Sequence, residues 1–158
     1  MEGKYVIVEI IPEAISPDKG NLVQISALKL DGLKLIDRFD YRLNYDLVTN
    51  KDILKLISYD QDSFTYLNST GELLNKFSEW SEDLPVYIFD NKYTNNFLAT
   101  LLNDKVSIAS VFDMDYTDDF VELLIKKYNL EPSNYIVDLI YEALIYRSNV
   151  NWLLEKYN

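Results

Sequence analysis

Two residue types are missing from this protein, and their absence narrows the chemistry open to it. The chain of 158 residues contains no cysteine and no histidine. Without cysteine, disulfide scaffolds, zinc ribbons and thiol nucleophiles are excluded. Without histidine, the chain lacks the usual general base of serine hydrolases and the commonest metal ligand in proteins. Glycine is also scarce, and the four glycines form no phosphate-binding fingerprint.

Long hydrophobic runs are absent as well. No apolar stretch approaches the roughly 20 residues that cross a bilayer, and the start, Met1-Glu2-Gly3-Lys4, lacks the pattern of a signal peptide. We therefore expect a cytoplasmic protein that does not associate with membranes. The length predicts one domain over residues 1–158, and a hydrophobic content of 48% with 26% charged residues is typical of a folded globular chain.

Positive charge is in short supply. Fifteen lysines and arginines stand against 26 aspartates and glutamates, which gives a net charge of −11 at pH 7. Such a protein repels polyanions, because Lys and Arg contacts to phosphate dominate nonspecific binding of nucleic acid. Divalent ions can supply positive charge locally, so the acidity does not exclude a nuclease. We expect a protein partner, with nucleic acid disfavoured.

The first half of the chain has the pattern of strands, and the second half is mainly helical. The predicted strands cover residues 5–11, 22–30, 33–43, 86–89 and 106–112. Asp31-Gly32 predicts a hairpin turn with positive φ at both residues. The third strand alternates apolar and charged residues, with Arg38, Asp40 and Arg42 on one face, which is typical of a half-solvated strand at the sheet edge. Ser69-Thr70-Gly71-Glu72 is a capping box that predicts a helix start. Residues 44–66 are predicted as a loop with one short helix, at 53–57.

Further helices are predicted around residues 97–102 and 120–125, and from residue 133 or 134 toward the C-terminus. Strands that alternate with helices after an opening meander predict an α/β fold. The expected architecture is a mixed five-stranded sheet flanked by helices.

Four segments, taken in chain order, resemble one enzyme family. Residues 9–17 read Glu-Ile-Ile-Pro-Glu-Ala-Ile-Ser-Pro and residues 23–30 read Val-Gln-Ile-Ser-Ala-Leu-Lys-Leu. Two further segments lie at residues 84–98 and 138–146. Together they resemble the motifs of DnaQ-like 3′–5′ exonucleases of the DEDD superfamily, the family of the DNA polymerase III epsilon subunit. The resemblance implies an RNase H-like fold of the exonuclease type.

The resemblance also implies where a catalytic site should lie. In this family four carboxylates hold two divalent metal ions, and a His or Tyr precedes the last Asp. The matched positions here are Glu9, Ile11, Thr94 and Asp138, with Ser133 where the His would stand. Isoleucine and threonine cannot replace the charged oxygen donors that such ions need. We therefore predict degenerate motifs, no nuclease activity, no cofactor, and a binding or regulatory role.

Two features of this alignment stay open. A second register puts Glu142 in place of the last Asp and Val137 at the His position, and it leaves the site no better supplied with ligands. Asp138 also suits the first turn of a helix, where a carboxylate favours the helix dipole. For Glu9, which lies within an apolar strand, we expect a wet cleft, the alternatives being a cationic partner or a protonated carboxyl.

Two other functions remain as alternatives. The first is an active 3′–5′ exonuclease that holds Mg²⁺ or Mn²⁺ with Glu9, Asp138 and a borrowed acid, Asp90 or Glu13. The alternative interpretation of Asp90 and Glu13 is that they are solvated loop residues or helix caps. The second is an acidic protein that mimics nucleic acid and occupies the basic groove of a partner. Its only motivation is the net charge, which more often serves solubility.

Overall fold

The computed structural model describes residues 3–57, 63–98, 101–102, 104–133 and 135–157, and the side chains among them except those of residues 150–155 and 157. Within these ranges the structure contains six strands and six α-helices. The strands are β1 (Lys4–Pro12), β2 (Leu22–Asp31), β3 (Lys34–Leu43), β4 (Thr65–Leu67), β5 (Val86–Ile88) and β6 (Lys105–Ser107). The helices are α1 (Lys51–Leu56), α2 (Thr70–Ser81), α3 (Lys92–Leu98), α4 (Ile108–Val111), α5 (Phe120–Tyr128) and α6 (Ile136–Tyr157).

All six strands form one mixed sheet, in the order β4-β3-β2-β1-β5-β6. The meander β1-β2-β3 is antiparallel, and β4, β5 and β6 each pair in parallel with their neighbours. The predicted mixed α/β architecture is therefore confirmed. Among the described residues, no helix has both the length and the apolar character that a membrane span requires.

Strand β1 is buried on both faces of the sheet, as its apolar sequence predicts. Val6 and Val8 face a core that includes Leu73 and Phe77 of α2, whereas Ile7 faces a core formed with α4, α5 and α6. Successive side chains of a strand point to opposite faces, so an uninterrupted β-branched run is suited to this central position.

The sheet has one strand more than the sequence predicted. Thr65–Leu67 pairs in parallel with Tyr41–Leu43, so this end of β3 is not the edge of the sheet. A strand of three residues contains too few positions to show an alternating pattern, and its pairing comes from backbone groups. The same predicted loop contains a 3₁₀ turn, Tyr45–Leu47, and helix α1, which begins two residues before the predicted helix.

The predicted strand over residues 106–112 is wrong for most of its length. Only Lys105–Ser107 pairs with β5, and the chain then forms the short helix α4, in which Ile108 and Ala109 are buried. Short apolar runs have the same composition in buried strands and buried helices, so periodicity alone does not separate them.

The hairpin between β2 and β3 turns one residue later than predicted. Asp31 still pairs with Lys34, and the two turn residues are Gly32 and Leu33. Gly32 adopts φ +61°, a conformation that glycine tolerates without steric cost, whereas Leu33 is not among the positive-φ residues. The register shifts between Lys29 and Leu30, which leaves an extra residue in β3 and absorbs the difference.

The predicted start of α2 is confirmed. The Ser69 hydroxyl accepts a hydrogen bond from the Glu72 backbone N–H at 3.0 Å, and the Glu72 carboxylate accepts one from the Asn68 N–H at 3.0 Å. These two bonds satisfy backbone donors that have no partner within the helix. They place α2 so that Leu73 and Phe77 enter the core.

Loss of this cap should be measurable. We expect Ser69→Ala to lower the free energy of unfolding by about 1 kcal/mol, because the Glu72 N–H then loses its acceptor. Chemical denaturation monitored by circular dichroism measures the change. Ser148→Ala, at an exposed serine within α6, is the control and should stay within about 0.5 kcal/mol of the parent. Equal effects of the two substitutions would contradict this account of the cap.

Candidate functional site

Polar side chains cross the face of the sheet that carries α6, and they include one of the positions singled out by sequence. Glu9 of β1 pairs with Ser26 of β2, and Ser26 pairs with Asp40 of β3. Directly paired residues lie on the same face, so the three side chains form one row. The row on one side of it is Ile7, Leu28 and Arg38, and the row on the other is Ile11, Gln24 and Arg42.

Glu9 does not face a wet cleft, and that prediction is wrong. Its side chain is only 7% exposed, because the first turn of α6 covers it. The Oε2 atom of Glu9 accepts a hydrogen bond from the Ile136 backbone N–H at 3.1 Å, and the Val137 N–H also bonds to the carboxylate. These are free donors of a helix N-terminus, where a negative charge is favoured.

The environment of Glu9 changes its acidity. Burial raises the pKa of Glu9 from 4.5 to about 7, the N–H groups of Ile136 and Val137 oppose the rise, and the negative charge of Asp138 adds to it. A substantial fraction of this carboxyl is therefore neutral near pH 7. A neutral carboxyl is a poor ligand for a divalent ion, which requires the ionised form.

Asp138, the third residue of α6, is joined to strand β3 by an ion pair. Its Oδ1 atom lies 2.7 Å from Nη1 of Arg38, and its Oδ2 atom lies 3.3 Å from Nη2. The same guanidinium contacts Asp40 through Nε, at 3.2 Å from Oδ2. The hydrogen bonds that Arg38 donates to Asp138 are the main cause that raises the pKa of Arg38 above its ordinary value. Both acids thus share one cation.

Sequence reasoning missed Arg38 as a site residue. The alternation of β3 puts Arg38, Asp40 and Arg42 on one face, but the same alternation indicates a half-solvated strand whose charged residues face water. In the structure Arg42 is 1% exposed and donates to the Gln24 side chain at 2.7 Å. The available signal was three charged residues at every second position of one strand, which is unusual for a face turned to the core.

The remaining motif positions supply no carboxylate. Ile11 lies half-buried near the end of β1. Thr94 is 2% exposed within α3, where its backbone N–H donates to the Asn91 side chain at 2.8 Å. Ser133 accepts a hydrogen bond from the Tyr135 N–H at 3.1 Å, so its hydroxyl organises the loop before α6.

Glu13, considered above as a borrowed acid for a metal site, instead accepts hydrogen bonds from two neighbouring loops. Its two oxygens accept hydrogen bonds from the N–H groups of Asn21, Thr49 and Asn50 and from the Thr49 hydroxyl, at 2.8 to 3.1 Å. Burial alone would raise the pKa of Glu13, but the combined hydrogen bonds lower it. Glu13 therefore fastens the loop after β1 to the start of α1.

The other acidic residues named in the sequence analysis, Asp90 and Glu142, do not join a group of carboxylates within the described ranges that could bind a metal ion. Asp90 is exposed and accepts a long hydrogen bond, 3.5 Å, from the Asn95 side chain. Glu142, the alternative to Asp138, lies one turn further along α6 and is half-buried, and Val137 is fully buried. Among the residues that the structure describes, no three carboxylates lie in a group that could hold a metal ion.

The residues at the motif positions do not fit the two divalent ions that the resemblance implies. Glu9 is bonded to backbone N–H groups and tends toward the neutral form. Asp138 is bonded to a guanidinium. Ile11 and Thr94 offer no charged oxygen, and hard divalent ions require such donors. The arrangement suits the attachment of α6 to the sheet.

Comparison with known proteins identifies the class of fold. Solved structures of exonuclease I are similar to this chain: the zinc-ion-bound Escherichia coli enzyme in complex with single-stranded DNA has a TM-score of 0.58 at 13% identity, over 94% of this chain and 40% of that one. A product-bound exonuclease I has a TM-score of 0.56 at 13% identity, over 92% and 42% of the two chains. The predicted RNase H-like fold of the exonuclease type is confirmed.

Sequence comparison gives weaker but consistent similarity. The chain is 24% identical over 97 residues to the PolC-type DNA polymerase III of Bacillus cereus, which covers 61% of this chain and 7% of the polymerase. It is 20% identical over 142 residues to that of Staphylococcus haemolyticus, covering 82% and 10%. The chain thus spans at most a tenth of these polymerases. No protein-family model matches the sequence.

Glu9 should make stability depend on pH. Its pKa in the folded state, about 7, lies above its ordinary value of 4.5, so the folded protein holds this proton more tightly than the unfolded chain does. The contribution of Glu9 to stability therefore falls as the pH rises from about 4.5 to about 7 and is constant above that range. Over the whole range the fall is about 3 kcal/mol.

The substitution Glu9→Gln isolates this effect, since Gln resembles the protonated carboxyl. We expect the free energy of unfolding of Glu9→Gln, relative to the parent, to rise by about 2 kcal/mol between pH 5.5 and pH 8. Denaturant titrations at several pH values measure the difference. Glu131→Gln, at an exposed position in the loop before α6, is the control. A difference for Glu9→Gln that does not vary with pH would contradict the burial of an ionisable carboxyl.

Proposed function

We propose that this protein is an exonuclease-fold protein without nuclease activity that acts as a binding or regulatory module. One observation carries the proposal: the two motif carboxylates already have partners within the chain. Asp138 is bonded to Arg38, and Glu9 is bonded to the first backbone N–H groups of α6. Hydrolysis of a phosphodiester by this fold family depends on metal ions that hold the attacking and leaving oxygens, and these carboxylates are the groups that would hold them.

The missing charge supports the same proposal. Two of the four carboxylate positions hold Ile11 and Thr94, so even a rearranged site begins with half the family's negative charge. The pair of divalent ions that the family's reaction uses would have too few anionic ligands in such a cleft to offset their loss of water. The supplementary acids Glu13 and Asp90 do not repair the deficit, because Glu13 holds two loops together and Asp90 is exposed.

A protein is the favoured partner. A net charge of −11 opposes nucleic acid, and no local basic cluster longer than Lys126-Lys127 occurs in the sequence. The chain is similar to parts of larger polymerases and exonucleases. This similarity supports a role in which the domain binds other protein domains without catalysing a reaction.

A nuclease assay tests the proposal directly. We expect no shortening of 3′-end-accessible single-stranded DNA or RNA oligonucleotides in 5 to 10 mM Mg²⁺ or Mn²⁺, beyond that seen with Asp138→Asn prepared in parallel. The parallel preparation matters because traces of a contaminating nuclease would degrade the oligonucleotide equally in both samples. Digestion from the 3′ end that Asp138→Asn or Glu9→Gln abolishes would establish an active exonuclease and overturn the proposal.

The binding part has a separate readout. We expect fluorescence anisotropy of labelled single-stranded DNA to show no binding at about 0.15 M salt, because the net field repels phosphate. Tight binding of the oligonucleotide in the absence of metal would contradict a protein-directed role. Salt-sensitive binding to a basic nucleic-acid enzyme would instead favour the nucleic-acid mimic.

A further inference from the structure

A guanidinium lies beside the one motif carboxylate that this chain retains in kind. Arg38 makes a two-bond contact with Asp138 and a third bond with Asp40, so one cation joins two acids from α6 and β3. Such two-bond pairs have defined geometry and are stronger than single contacts between flexible side chains. The pair bridges residues 100 positions apart in sequence, so it is a tertiary contact and not local helix chemistry.

Asp40 strengthens the case that this group of acids is organised around a cation. Its Oδ2 atom faces Arg38, whereas its Oδ1 atom is buried and has no hydrogen-bond partner among the described residues. When one oxygen of a buried carboxylate has no hydrogen-bond donor, the negative charge is stabilised mainly by the cation beside it. Asp40 also lies in the same cross-strand row as Glu9, with Ser26 of β2 between them.

We propose that Arg38 is a built-in cation that replaces metal ions in this fold: it pairs with Asp138 and Asp40, positions the first turn of α6 on β3, and keeps Asp138 from binding divalent ions. The inference rests on the proposed function, because an active metal site would need Asp138 free. It goes beyond that function because it identifies Arg38 as the residue that keeps divalent ions away from Asp138. It also implies that substitution of Arg38 would let such ions bind. Arg38 is thus a positioning residue.

The removal of this charge should make the protein responsive to divalent ions. In EDTA, Arg38→Gln should melt about 2 to 6 °C below the parent, since Asp138 and Asp40 lose their counter-charge. Addition of 10 mM Mn²⁺ should then raise the melting temperature of Arg38→Gln by about 4 °C, as expected for a millimolar site. The parent, and Arg38→Lys, which keeps the charge, should not respond.

Two controls separate a site from general ion binding by an acidic protein. Lys34→Gln removes a positive charge from the exposed start of the same strand, and its melting temperature should not respond to Mn²⁺. The double variant Arg38→Gln with Asp138→Asn should also lose the response, because the released carboxylate is then absent. Melting curves with and without Mn²⁺ measure all five proteins under one condition.

The outcomes are separable from those of the nuclease assay. A merely structural ion pair would leave Arg38→Gln destabilised and indifferent to Mn²⁺, and that result overturns the inference while the proposed function stands. An equal response of the parent and Arg38→Gln would show that Asp138 is open to metal despite Arg38, which also overturns it. If Arg38→Gln does not fold in EDTA, recovery of its circular dichroism in Mn²⁺ supports the inference, and continued unfolding contradicts it.

Discussion

The attachment of one helix terminus to the sheet is the constraint on which the rest of the candidate site depends. The first turn of α6 rests on β1 through Glu9 and on β3 through the Arg38–Asp138 pair. Both contacts join residues distant in sequence and both use carboxylates. The free N–H groups of the helix satisfy one carboxyl group and a guanidinium satisfies the other, so both contacts of this junction are made by groups of the chain itself.

The apolar core explains how an exonuclease-type fold can form independently of the polar residues beneath α6. The sheet, the packing of its two faces and the position of α6 rest on apolar contacts, as in the core that contains Ile7, Val137 and Ile140. Hydrophobic burial supplies most of the driving force for folding and does not require a metal ion. Polar residues beneath α6 can therefore exchange partners while the architecture remains.

Much of the fold was predictable because it rests on local patterns. The apolar run of β1, the alternation of β3 and the capping residues Ser69 and Glu72 each indicate their element from a few neighbouring positions. The failures have a common cause. Strand β4 and helix α4 are short segments whose conformation depends on the strand or core beside them. Three or four residues are too few to show the hydrophobic periodicity that distinguishes a strand from a helix.

The sequence by itself determined which chemical groups are available: no histidine or cysteine, and carboxylates at only two of four motif positions. Only the tertiary structure decided what those groups do. Whether Glu9 is wet or buried depends on where α6 begins in space, and the partner of Asp138 lies 100 residues away on another strand. Electrostatic interactions depend on distance and burial, which a linear order of residues does not contain.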